Sequence, residues 1–178
     1  MTTKTLEKPI LQEKQFSQNV NDGDLTRQFL VFRIGDAEYC VNLNSVREIT
    51  SVTNLTHIPN APDYMQGFIN FRGLAIPVFD LKKKFGIGAI EPGKKNILIL
   101  LNCHDMLIGV LAQEASEILT VQNHQINPMP EFEYINFVSG LIQKEKIMVI
   151  ILEINKIFDL QSLQNIRQFS HSQQHLRS

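Results

Sequence analysis

Apolar positions along this chain come in short runs separated by glycine, proline and polar residues, the pattern of a protein built from strands. The first run, Gln28-Phe29-Leu30-Val31-Phe32-Arg33-Ile34, is β-branched and aromatic; it stops at Gly35-Asp36 and resumes at Glu38-Tyr39-Cys40-Val41. Two short strands about a tight turn predict a hairpin. Further apolar runs over residues 76–79, 97–101, 107–112 and 147–152 are punctuated by Gly73, Gly86-Ile87-Gly88, Pro92-Gly93, Pro128 and Pro130. No long 3.6-residue period lies between them, which argues against a doubly wound α/β fold. Short strands that cannot each bury both faces curl into small barrels or pack as a sandwich. Helix is predicted only as brief connectors, at 46–49, 81–85 and 114–118, and at the end, where Ile154, Ile157, Phe158, Leu163 and Ile166 recur at roughly helical spacing.

The same features come round twice. Val46-Arg47-Glu48-Ile49-Thr50 is echoed by Ala115-Ser116-Glu117-Ile118-Leu119, with Glu48 and Glu117 standing 69 positions apart. Pro59 and Pro128 keep that offset, whereas Gly67 and Gly140, Asp80-Leu81 and Glu153-Ile154, and Phe85 and Phe158 are all 73 apart. A steady offset with one small change reads as two copies of one all-β module with a loop insertion. Two modules over roughly 28–90 and 91–160 are expected, with exchange of strands between them left open.

Composition narrows the class. Of the 178 residues, 43% are hydrophobic and 20% charged, enough for one compact domain, or two small halves sharing an interface, without disulfides or metal. Residues 1–27 are rich in Thr, Lys, Glu, Gln and Asn and bury too little to offset the entropy of ordering them. A flexible polar tail is expected there, and a helix end with a second polar tail over 161–178. The net charge of −1 provides no basic field to hold nucleic acid or an anionic membrane. The apolar runs fall far short of the roughly 20 residues that span a bilayer, and the lead-in lacks a signal peptide's apolar stretch. A soluble, cytoplasmic protein with no direct membrane insertion is the expectation. Cys40 and Cys103 fit it as two free, buried thiols.

Catalysis has no visible home. His57, His104, His124, His171 and His175 lack metal-ligand spacing with the cysteines. The sequence holds no glycine-rich phosphate loop, dinucleotide fingerprint or Gly-x-Ser-x-Gly elbow. Asp80 ends an apolar strand but lacks the acidic pair, the lysine-bearing strand and the alternating helices of a phosphoacceptor domain, and reads as a turn or cap residue. Lys82-Lys83-Lys84 has no base-stacking aromatics interleaved and reads as a solvated face. No catalytic residue, metal or cofactor is expected.

The most distinctive stretch runs from His57 to Leu81. Pro59 and Pro62 give a stiff, extended lead-in. Asp63-Tyr64-Met65-Gln66 can form one turn stopped by Gly67, and a strand over 68–71 leads through Arg72-Gly73, a natural β-turn, into a return strand over 74–80. Pro77 within that return strand predicts an edge or a bulge, because proline cannot donate to the ladder. Arg72 is thereby presented outward on a hairpin tip.

The combination of Ile58-Pro59, Pro62, Tyr64, Gly67, Ile69-Asn70, Arg72-Gly73, Ile76-Pro77-Val78 and Asp80-Leu81 resembles the signature of the CheW family, the coupling proteins of bacterial chemosensory arrays. The opening hairpin and Val46-Arg47-Glu48-Ile49 fit that family's first half; Gly140 and Leu152-Glu153-Ile154 fit its second. The resemblance covers about residues 28–160. It implies an all-β fold of two SH3-like five-stranded β-barrels packed together with a cleft between them. It also implies two partners: the hairpin tip of a methyl-accepting chemotaxis receptor and the regulatory domain of a chemotaxis histidine kinase. Glu48 and Arg72 fall where the family places its receptor-facing charged pair, with Val46 and Gly67 beside them. One departure is Gly109-Val110-Leu111-Ala112-Gln113, in which Gln113 replaces an acid common in the family and leaves open any contact that carboxylate made.

A kinase contact is expected to be apolar, since such interfaces depend on a few buried anchors. Leu55, Ile58, Phe68, Ile69 and Phe71 are the candidates, and alternation along 68–71 assigns some of them to barrel core. The expected function is a non-catalytic adaptor between receptor and kinase. An RNA-binding small barrel is the alternative from another class, opposed by the near-neutral charge. A detached kinase regulatory domain is a third, opposed by the polar lead-in that opens on Met1.

Overall fold

The computed structural model describes residues 25–91, 95–130 and 135–175; the polar lead-in and the last residues of the tail lie outside them. The first repeat contributes β1 (Thr26–Ile34), β2 (Ala37–Asn42), β3 (Val46–Ser51), β4 (Met65–Phe71), β5 (Leu74–Phe79) and the one-turn helix α1 (Leu81–Lys84). The second contributes β6 (Ile97–Cys103), β7 (Met106–Ala112), β8 (Glu114–Gln122), β9 (Ile126–Pro128), β10 (Val138–Lys144), β11 (Ile147–Leu152) and α2 (Ile154–Ile157). A longer helix, α3 (Leu160–His175), follows. β4 and β10, β5 and β11, and α1 and α2 each begin and end 73 positions apart, so the repeat in the letters is a repeat in the fold.

The sheets divide the chain differently from the repeats. One sheet runs β8-β1-β2-β11-β10-β9 and the other β3-β6-β7-β5-β4. Corresponding strands hold corresponding places in the two orders, and each sheet has one parallel contact, β2 with β11 and β7 with β5. The first two strands of each repeat therefore complete the sheet of the other. The boundary expected near residue 90 separates the repeats but not the sheets, because strands are exchanged across it.

Exchange puts β1 and β6 between two apolar layers. Phe29 and Val31 turn into the interior of their own sheet, while Leu30, Phe32 and Ile34 turn into a central cluster shared by both sheets. Along β6, Leu98 and Leu100 face their own sheet's interior and Ile99, Leu101 and Cys103 face the centre. Buried on both faces, these strands read in the sequence as unbroken apolar runs. Across the centre, Phe85 after α1 stacks on Phe137 at 5.0 Å, and Phe158 after α2 packs on Phe79 at 4.4 Å.

Two connectors predicted as helix are strands. Residues 46–49 lie in β3 and 114–118 in β8, where β-branched side chains and pairing with β6 and β1 outweigh local helical spacing. β4 begins at Met65, so the turn expected over 63–66 is earlier, closed by the Met65 amide donating to the Pro62 carbonyl at 2.8 Å. Gly67 sits inside β4, at a shift of register against β5. β5 is interior to its sheet, yet β7 pairs with it at Val78 and Phe79, past Pro77, so the residue without an amide hydrogen lies outside that ladder. No helix among the described residues is long and apolar enough to cross a membrane.

Candidate functional site

The tip of the β4–β5 hairpin carries the candidate site. Phe71 and Leu74 close the ladder, and the two residues between them, Arg72 and Gly73, both have positive φ, +51° and +83°. Such a pair matches the twist of the strands it joins. The Gly73 amide donates to Asn70 Oδ1 at 2.9 Å, and the Arg72 guanidinium lies 4.7 Å from the centre of the Phe71 ring. Its Nη2 donates to Glu48 Oε2 at 3.0 Å.

That ion pair also reports the shape of the sheet. β3 and β4 are the outermost strands of their sheet, so Glu48 and Arg72 meet only because the sheet curls until its ends approach. The other sheet repeats the device: Glu117, the repeat mate of Glu48, pairs from the outer strand β8 with Lys144 on β10, and Glu38 joins them at 3.1 Å from Lys144. The two pairs differ in exposure. Glu48 keeps only 15% of its side chain in water while Arg72 keeps 64%, so Arg72 is anchored on one side and open on the other. A pair so exposed adds about 0–1 kcal/mol of stability; its consequence is to fix the direction of the guanidinium.

The other residues expected at the receptor face lie beneath it. Val46 is buried in the central cluster, and Gly67 is buried against the backbone of Thr56. Val46 opens β3, paired with Leu101 of β6, and Gly67 lies within β4, so both belong to the framework that carries Glu48 and Arg72. Among the five apolar candidates, Phe68 and Ile69 are core residues, Phe68 in the central cluster and Ile69 inside its sheet. Both side chains are spent largely on packing, with 8% and 3% of their surface exposed. Leu55, Ile58 and Phe71 are half-buried, and Phe71 serves as the platform under Arg72. Leu74, next to the tip, is 57% exposed and was not foreseen. Asn70 was missed as well, although an Asn three positions before a turn glycine is a readable signal for a side chain that holds its own turn.

Candidate chemistry elsewhere is accounted for by structure. Asp80 is buried and caps α1: Oδ1 accepts from the Lys82 and Lys83 amides, and Oδ2 from the Ile90 amide at 2.9 Å. Both carboxylate oxygens are thereby engaged by backbone amides, in keeping with the cap reading. His104 holds the turn before β7 onto α2, its amide donating to Asn155 Oδ1 and its Nε2 within 3.1 Å of the Asn155 and Phe158 carbonyls. Burial pushes both thiols, Cys40 and Cys103, up to about 12, for Cys40 against a weaker opposing pull from Arg27. Gln113 uses its amide on the Arg33 carbonyl at 3.0 Å, and its side-chain oxygen is buried without a partner. Among the described residues no cluster of three or more His, Cys, Asp or Glu is placed to hold a metal.

The family model described as a CheW-like domain matches residues 28–162. The chain belongs to the CheW-like family. A probable chemotaxis protein CheW from Rhizobium etli is 36% identical over 144 residues, covering 79% of this chain and 92% of that one. The chemotaxis protein CheW of Rhizobium meliloti is 36% identical over 136 residues, 74% of this chain and 87% of its own. The crystal structure of the scaffolding protein TtCheW from Thermoanaerobacter tengcongensis superposes with a TM-score of 0.70 at 28% identity, over 76% of this chain and 94% of that one. The two curled sheets are accordingly the two SH3-like β-barrels of the CheW-like fold.

Proposed function

We propose that this CheW-like protein is a non-catalytic chemotaxis adaptor that couples the cytoplasmic hairpin tip of a methyl-accepting receptor to the regulatory domain of a histidine kinase. The observation that carries the reading is Arg72, fixed on a hairpin tip with most of its side chain open to solvent, in a chain of this family. Glu48 and Arg72 form the receptor face, with Val46 and Gly67 beside them in the strands that carry the pair. For the kinase face, Leu55, Ile58 and Phe71 are carried forward because they retain surface.

The protein works in the cytoplasm, at receptor arrays reached through its partners, and does so by coupled binding. A scaffold that holds both partners transmits a receptor change only when its affinity or geometry differs between receptor states. Retention of purified receptor fragment and kinase on immobilised wild type and Arg72→Ala tests the reading. Wild type is expected to hold both partners and Arg72→Ala to hold kinase but little receptor. A wild type that retains neither overturns the adaptor, and an Arg72→Ala that retains receptor fully overturns the site.

A further inference from the structure

The Arg72 side chain is restrained more than the turn requires. Arg72 takes a left-handed backbone conformation that an L-residue with a long side chain adopts at a cost. A β-carbon on Gly73 would meet nothing within 4 Å, and Arg72 and Leu74 are exposed, so the conformation serves the reversal of the hairpin, as it does at the repeat mate Glu145 (φ +51°), and leaves the direction of the Arg72 side chain open. Three contacts nevertheless hold it: Asn70 Oδ1 on the Gly73 amide, the Phe71 ring under the guanidinium, and Glu48 on Nη2. The reversal of the chain needs no contact on the guanidinium, and contacts dedicated to holding an exposed cation point to use of that cation.

The three contacts also define what remains free. Glu48 accepts one Nη2 hydrogen and the Phe71 ring lies against the guanidinium; the second Nη2 hydrogen, with the parallel N–H beside it, leaves one two-donor edge of the planar fork for a further acceptor, on a side chain that keeps 64% of its surface in water. A planar fork with two parallel donors matches a carboxylate. We infer that Asn70 and Phe71 are positioning residues that hold Arg72 for a carboxylate on the bound partner. The inference rests on the reading of Arg72 as the receptor face, and it adds the chemistry recognised and two residues that act through Arg72.

The test titrates a purified receptor cytoplasmic fragment against full-length wild type, Asn70→Ala, Asn70→Asp, Phe71→Leu, Arg72→Ala and the Asn70→Ala/Arg72→Ala double variant. Asn70→Ala and Phe71→Leu are each expected to weaken binding about threefold to tenfold, the range of one modest contact. Asn70→Asp, which keeps the Oδ acceptor, is expected to restore binding, and Asn70→Ala to add nothing once Arg72 is alanine. The NMR signal of the Arg72 Nε–H reports loosening of the guanidinium in Asn70→Ala, which a general loss of stability does not imitate. Wild-type affinity in Asn70→Ala and Phe71→Leu, with binding lost in Arg72→Ala, overturns the positioning role and leaves the site standing. A loss that Asp fails to restore, or that persists undiminished without Arg72, also overturns it. Wild-type affinity in Arg72→Ala overturns the inference and the site together.

Discussion

The carbonyl oxygen of Thr56 occupies the space that a β-carbon on Gly67 would need. Thr56 is held there by two backbone bonds to Phe68, at 2.8 and 2.9 Å, so neither chain can retreat without opening the start of β4. The second repeat has the same arrangement at Gly140, where a β-carbon would come within 2.9 Å of the Asn127 carbonyl.

Alanine at these glycines separates close approach from simple turn strain. Gly67→Ala is expected to cost about 3 kcal/mol or more, and Gly140→Ala rather less because its clash is milder. Gly73→Ala meets no atom and is expected to lose only about 1 kcal/mol through its left-handed backbone. Urea unfolding of the three variants gives the order; a Gly67→Ala as stable as Gly73→Ala contradicts the packing.

Strand exchange makes the two barrels one folding unit. Neither barrel can open alone, because β1 and β2 belong to the sheet of the second repeat and β6 and β7 to that of the first. Thermal and urea unfolding are expected to be single transitions that superpose when followed by far-UV circular dichroism and by NMR. Fragments ending at residue 90 or starting at 91 are expected to be unfolded singly and to recover strand signal when mixed. Independent folding of either fragment contradicts the exchange.

Asp80 serves α1 through three accepted amide bonds in a buried setting. Asp80→Ala strands those donors and is expected to cost about 3 kcal/mol. Incubation of the wild type with acetyl phosphate is expected to leave its mass unchanged. A phosphorylated species carrying the group on Asp80 contradicts the cap assignment.

Both thiols have folded-state values near 12 against an ordinary 9.0, the direction set by burial. A raised value means that the folded state holds the proton longer. Their contribution is therefore complete below about pH 9 and is lost as pH climbs toward 12, at a slope of about 1.4 kcal/mol per pH unit for each thiol. Stability measured between pH 8 and about pH 10.5 is expected to fall more steeply for wild type than for Cys40→Ala/Cys103→Ala. Equal slopes, or rapid alkylation of the native protein at about pH 8, contradict the burial.

Much of this was legible in the letters. The hairpin at Arg72-Gly73, the repeat linking Glu48 to Glu117, and the cap role of Asp80 follow from local chemistry, and local chemistry is what a sequence displays. A sequence does not show that Val46, at the start of β3, faces the central cluster, or that Gly67 lies under Thr56. Residues 46–49 and 114–118 have a spacing that suits a turn of helix, yet form strands because their partners β6 and β1, distant in sequence, pair with them. Phe68 and Ile69 look like anchors until the second apolar layer made by strand exchange is known. Exchange shows in the letters only as the unbroken apolar runs of β1 and β6, which do not say which sheet each strand joins.

The central claim is coupling, and the most direct measurement is the autophosphorylation rate of purified kinase with receptor fragment and this protein, alone and together. The rate is expected to rise about fivefold or more only when all three are present, within the usual range of coupling between sites, and Arg72→Ala is expected to lose most of that rise while still binding kinase. A kinase rate indifferent to the wild-type protein, or restored fully by Arg72→Ala, contradicts the account.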